Sequence, residues 1–367
     1  MVLRLSNAAV YGYDRWGLNH EYPAGSILKD GCCTYYWTQS PMVGALINGQ
    51  PSVAVGVRGT YRDSEEEFEP LPGYDSGISD TEANIGIALS DKPESWPPQW
   101  PIQNDPTGTF NSTIYDNNGD IQEILSFSGV EPEIDSIVGF PDAPCGYGVQ
   151  ADREAYFVVT DNDPASGNIF NTNGTGPLNV RIDVWALNYS LSYGNDGLIF
   201  IQRMTNVGKD TLKSLYYGIT GDPDNPEQGS SEWTDDLALL IEPNDPLIAE
   251  KLSDTTDAHL LGNLAIVYDP DDNSSGFIES DVGWIGLKFL ECTHIDNNNI
   301  ETGYDISSFK TYPYTDDATS DADAYYNQLA SGIQEPDNIT PHPSDIFNKP
   351  YSYGPDITWV IAAGPMD

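Results

Sequence analysis

The chain has 367 residues, of which 57 are acidic and 15 basic, giving a formal net charge of −42. A field of that sign repels phosphate, so the composition argues against nucleic-acid binding and against attachment to an anionic membrane. No run of 18 apolar residues is present, so no membrane-inserting helix is expected. The length allows one large core or two medium ones. The apolar share is 39%, and 22 Tyr and 8 Trp add aromatic surface to bury. The 34 glycines and 27 prolines follow no period, which points to many turns and an all-β protein.

In chain order, Ser6–Tyr13 is mixed and Tyr22-Pro23-Ala24-Gly25-Ser26 is turn chemistry. Val43–Ile47 and Val53–Val57 are short β-like runs on either side of Asn48-Gly49, a strong hairpin signal. The connection between the two apolar runs is longer than those two residues, so a longer loop is expected. Residues 61–105 change character. They hold the acidic run Ser64–Glu69 and a Pro-rich stretch with Trp96 and Trp100, which reads as a braced surface loop or a partner-binding segment. Ala155–Thr160 predicts a strand. Val180–Tyr189, Leu198–Asn206 and Leu212–Ile219 predict three more, leading into an acidic loop, Gly221–Pro226, with Asp235-Asp236 beyond it. Leu237–Ile241, Leu264–Tyr268 and Val282–Leu290 are further strands. Asp321–Ile333 is the helix candidate, with Ala324, Tyr325, Leu329 and Ile333 near helical spacing and Asp321 as cap. The fold class that follows is all-β of sandwich type, with long loops and a short helix near 321–333. The composition shift suggests an N-terminal β segment, 1–105, and a main sandwich, 106–367, or one continuous unit.

Acidic clusters recur after strands. The first contains Asp116, Asn118 and Asp120, the second Asp222, Asp224, Asp235 and Asp236, and the third Asp269, Asp271, Asp272 and Asn273. Calcium takes six to eight oxygen ligands, which loops of this kind supply from side chains and carbonyls together. The first cluster is not an EF-hand, because its glycine falls at the fourth position and Phe127 stands where the bidentate Glu belongs. Two readings stay open: calcium ligands, or ordinary Asp/Asn turn residues on a solvated acidic surface.

The four cysteines, Cys32, Cys33, Cys145 and Cys292, form no CxxC pair. A zinc site therefore lacks support. They are either structural disulfides of an oxidising compartment or free buried thiols. There is no GxSxG elbow, Walker loop or HExxH, and His20, His259, His294 and His342 are isolated from one another. A two-carboxylate glycosidase needs only two well-placed acids, and no pair stands out among the 57. Asn-x-Ser/Thr sequons occur at Asn111, Asn173, Asn188, Asn273 and Asn338 and matter only in a cell that glycosylates exported proteins.

The turn Tyr22–Ser26 followed by Val43–Gly49 resembles the opening of large uncharacterised secreted proteins of the Bacteroidetes–Ignavibacteria group of bacteria. Val180–Tyr193, the turn Asn206–Leu212, Tyr217-Gly218 leading to Asp222-Pro223-Asp224, Ala265–Asp269, Ile285–Leu290 and Ala363-Gly364-Pro365 are similar to the same family. The resemblance implies export, often by the type IX route with a C-terminal sorting domain, and a processed or truncated chain where that domain is missing. It implies no catalytic residue. The expectation is a non-catalytic extracellular or cell-surface protein, a filament-forming subunit stabilised by calcium, whose partners are further copies of itself or other surface proteins. The alternative is a carbohydrate-binding module or a glycoside hydrolase acting on extracellular polysaccharide, with Tyr and Trp stacking on sugar rings.

Overall fold

In a computed structural model of the chain, the structure describes residues 38–56, 68–70, 87–92, 100–101, 110–112, 140–141, 143, 149–161, 171, 175–190, 197–223, 237–241, 263–268, 285–295, 301–313, 321–333 and 357–367. The strands are β1 (Thr38–Ile47), β2 (Gln50–Val55), β3 (Glu69–Pro70), β4 (Ala88–Leu89), β5 (Trp100–Pro101), β6 (Phe110–Ser112), β7 (Arg153–Thr160), β8 (Val180–Asn188) and β9 (Leu198–Asn206). They continue with β10 (Lys213–Asp222), β11 (Leu237–Ile241), β12 (Leu264–Tyr268), β13 (Ile285–Lys288), β14 (Thr293–Ile295), β15 (Glu301–Gly303), β16 (Ile306–Pro313) and, after helix α1 (Ala322–Leu329), β17 (Ile357–Met366). The fold is mostly β-strand, in several antiparallel sheets, with one short helix among the described residues.

The first sheet has the order β16-β17-β10-β1-β2, and the second β3-β7-β8-β9 with β4 also on β7. β11-β12-β13 form a third, and β14-β15 and β5-β6 are two-stranded ribbons. Residues 38–55 therefore share a sheet with residues 213–222 and 357–366.

Local chemistry explains the first hairpin. Asn48 (φ 52°) and Gly49 (φ 82°) both occupy the left-handed region, and Ile47 pairs with Gln50. The connection is thus two residues, not the longer loop expected from the apolar runs, because the strands extend past those runs to the Asn-Gly turn. The period of two then sends Val43, Ala45 and Ile47 to one face of β1 and Met42 to the other.

The inner face of β1 shares a core with the second sheet. Val43, Ala45, Ile47 and Ala54 cluster with Phe157, Val159, Val180, Ile182 and Val184. The opposite face of the second sheet is buried too: Tyr156, Val158, Trp185 and Leu187 pack with Ala88, Phe140 and Ala143. Burial on both faces explains why Ala155–Val159 reads as an unbroken apolar run rather than an alternation. A third cluster joins Ile219, Phe309, Trp359 and Ile361 to Ala238, Ala265, Val267 and Ile285 of the third sheet.

Helix α1 covers the outer face of the first sheet, burying Ala322, Tyr325 and Leu329 against Met42, Val53, Val55, Val360 and Ala362. The Asp321 side chain accepts a hydrogen bond from the Ala324 N–H at 2.8 Å, capping the helix as expected. The helix is shorter than 321–333, because Gly332 adopts φ +77° and returns the chain to β16. Leu329 seats over glycine: a Cβ on Gly44 would come within 2.6 Å of it, and one on Gly218 within 2.8 Å. A side chain at either position would lift the helix off the sheet.

Candidate functional site

Of the acidic residues singled out from sequence, the structure describes Asp222. It is not in a loop. β10 runs on through Gly221 and Asp222, which pair with Gln39 and Thr38, and Asp222 is buried. Sequence pattern placed the strand end at Ile219; pairing with β1 carries it three residues further. Asp116, Asn118, Asp120, Asp224, Asp235, Asp236, Asp269 and Asp271 lie outside the described residues, as do Cys32, Cys33 and Cys145. Cys292 is a half-buried free thiol, and burial pushes its pKa up to about 11. Among the described residues no group of three or more His, Cys, Asp or Glu side chains is placed to hold a metal.

One relationship does bear on the acidic clusters. β11 and β12 are antiparallel with Leu237 opposite Tyr268, so the chain enters β11 and leaves β12 at one end of the third sheet. In sequence, Asp235 and Asp236 precede that entry, and Asp269 and Asp271 follow that exit.

Several polar groups that the structure brings together are buried, and sequence reasoning missed them. On the outer face of β8, Arg181 and Asp183 form an ion pair at 2.6 Å, each side chain about 1% exposed. The Tyr156 hydroxyl donates to the same Asp183 oxygen at 2.8 Å. Arg203 stands opposite Asp183 on β9, with its guanidinium 5.6 Å from the Trp185 ring centroid. Burial lowers the Arg203 pKa, while the Asp183 charge works the other way. The Trp185 indole donates to the Pro141 carbonyl at 3.1 Å. The sequence signal was there: Arg181 and Asp183 two apart in an apolar strand must share a face.

Two further buried carboxylates bind backbone. Asp161 accepts from the N–H groups of Leu178 (2.6 Å) and Val180 (2.7 Å), closing the connection between β7 and β8. Burial pushes its carboxyl up to about 6, against the backbone N–H groups of Val180, Leu178 and Asn179, which pull it down. Glu154 accepts from the N–H groups of Gln150 and Ala151, fixing the turn before β7.

A further connection ties the segment before β8 to β2. Asn171 takes both backbone groups of Val53: its Oδ1 accepts from the N–H at 2.9 Å and its Nδ2 donates to the C=O at 3.0 Å. Ser52 Oγ donates to the Gly176 carbonyl at 2.9 Å beside it. These groups orient strands and loops. His294, the histidine among the described residues, sits half-buried on β14.

No family model, curated protein or solved structure matches the chain.

Proposed function

We propose that this chain is a non-catalytic extracellular structural protein, a cell-surface or filament-forming subunit stabilised by calcium. The observation that carries the reading is where the buried polar groups are spent. Asp161, Glu154 and Asn171 each bind main-chain atoms, and Arg181, Asp183 and Tyr156 bind one another. Catalytic groups are held ready for a substrate; Asp161, Glu154 and Asn171 hold loops to strands, and Tyr156 joins β7 to the Arg181–Asp183 pair of β8.

The first and second sheets share a core and make a sandwich in this reading, with residues 1–105 and 106–367 forming one continuous unit. Calcium is proposed for the acidic segments, and the shared end of β11 and β12 supports it. Segments carrying Asp235, Asp236, Asp269 and Asp271 join the sheet there, and a divalent ion between them would relieve the repulsion of a chain at −42. The resemblance to exported bacterial proteins supports an extracellular or surface location and partners that are further copies or other surface proteins.

The test is thermal melting of chelator-treated protein titrated with calcium. A rise of several degrees at millimolar calcium is expected, reduced in the Asp235→Asn/Asp269→Asn variant. An unchanged melting temperature at millimolar calcium sinks the calcium part. Binding on a glycan array, or turnover of a polysaccharide, would instead favour a carbohydrate-active protein.

A further inference from the structure

We propose that Asn48 is a self-modification site: its side-chain amide is lost to water through a cyclic imide with Gly49, leaving aspartate or isoaspartate at the tip of the first hairpin. The proposal goes beyond the structural-subunit reading and does not depend on it.

The reaction needs a main-chain nitrogen able to reach the side-chain carbonyl carbon of the residue before it. Asn48 and Gly49 lie outside the β1–β2 ladder, whose last pair is Ile47 with Gln50. Both are exposed, and the Asn48 amide makes no hydrogen bond among the described residues. Gly49 has no side chain to crowd its nitrogen. A Cβ built there would meet nothing within 4 Å, so the surroundings are open to water. Among the described residues, Asn48 is the one asparagine followed by glycine. Asn179 and Asn206 are each followed by valine, and their amides are bound to the carbonyls of Pro177 and Asp210. Asn118-Gly119 and Asn173-Gly174 lie outside the described residues.

The atoms balance with water as the only co-reactant. The Gly49 nitrogen bonds to Asn48 Cγ and gives up its proton, the Cγ–Nδ2 bond breaks, and ammonia leaves. The ring that results holds Cα, Cβ, Cγ and the carbonyl carbon of residue 48 with the nitrogen of residue 49. Water then opens it. Attack at Cγ restores the normal main chain with aspartate. Attack at the main-chain carbonyl routes the chain through the former side chain, as isoaspartate.

The fold sets both the rate and the consequence. The hairpin holds Asn48 at φ 52° and Gly49 at φ 82°. Ring closure turns the Asn48 main chain out of this turn, so the reaction proceeds through local opening of the tip. Isoaspartate then adds one carbon to the main chain of a loop whose length fixes the register of its strands. β2 does not slide to absorb it, because Asn171 and Ser52 tie that strand to the segment before β8. The added atom therefore strains the turn.

The test is incubation of the full chain in heavy-oxygen water at mildly alkaline pH, followed by peptide mapping, with a synthetic Leu46–Ser52 peptide alongside. Heavy oxygen enters at residue 48, with isoaspartate in excess of aspartate. The folded chain reacts more slowly than the peptide, by no more than roughly a hundredfold, since only the tip has to open. No label at residue 48 within about a hundred peptide half-lives overturns the proposal. Ion exchange separates the converted chain for a second readout. Its isoaspartate form melts a few degrees below the Asn48→Asp variant, which carries the same charge on a normal main chain. Equal melting temperatures overturn the strained turn as the consequence of modification.

Discussion

Asn171 holds Val53 with both ends of its amide, at 2.9 and 3.0 Å, across 118 residues of sequence. One side chain thereby does the work of a missing strand. It satisfies the outward N–H and C=O of β2 and stops the first sheet from growing at that end. A buried polar group left without a partner costs about 1–3 kcal/mol. Two such groups on one residue make Asn171 a large local contributor.

Asn171→Ala should therefore lower stability by roughly 2–4 kcal/mol, since both groups of Val53 lose their partner. Asn171→Asp keeps an acceptor for the N–H but cannot donate to the C=O, and should be destabilising as well. Urea unfolding followed by tryptophan fluorescence measures both. The opened edge should also make Asn171→Ala aggregate at lower concentration than wild type. A midpoint equal to wild type would show that the amide does not close this edge.

Asp161 gives a pH prediction with a definite sign. Its ordinary value is 3.8, and in the folded protein burial raises it to about 6. Between those two values the folded state holds the proton more tightly than the unfolded chain. The contribution from this group is fully present below pH 3.8 and is lost as pH rises through 6. Its size is about 3 kcal/mol at most. Other carboxylates titrate in the same range, so the useful quantity is the stability gap between wild type and Asp161→Asn. That gap should shift against wild type between pH 4 and pH 7. A gap that stays flat across the window would falsify the assignment.

Arg181 and Asp183 test whether a buried ion pair stabilises or only specifies. Taking two charges out of water is expensive, and their attraction offsets it only with good geometry. Removing one partner strands the other. Arg181→Met should cost about 3–5 kcal/mol. The double variant Arg181→Met/Asp183→Leu should recover only part of that loss, because Trp185 and Leu187 give that face an apolar setting but the Tyr156 hydroxyl loses its acceptor and Arg203 loses the charge opposite it. A double-mutant cycle with no coupling between the two positions contradicts the pair as described.

Much of the fold was legible from local pattern. The β-like run Val43–Ile47, the Asn48-Gly49 turn, the apolar runs of β7 and β8 and the cap at Asp321 are each decided within a few residues. Backbone geometry there depends on side chains that are neighbours in sequence. The β strands and the short helix near 321–333 follow from them. The candidate site was less legible. Asp222 read as a loop residue because nothing in its own neighbourhood reveals that Thr38 pairs with it and keeps it in β10.

What the sequence by itself determined is therefore a set of local elements: the long strands from β7 to β13, the first hairpin with its turn, and the helix, in a chain of net charge −42. What only the tertiary structure decided is which polar residues are buried and what they hold. Asn171 meets Val53, Asp161 meets Val180, and Tyr156 meets Asp183 because sheets and loops converge. The physical reason is desolvation. Whether an Asn or Asp is a solvated turn residue or a buried clamp depends on the surface packed over it, and that surface comes from distant parts of the chain.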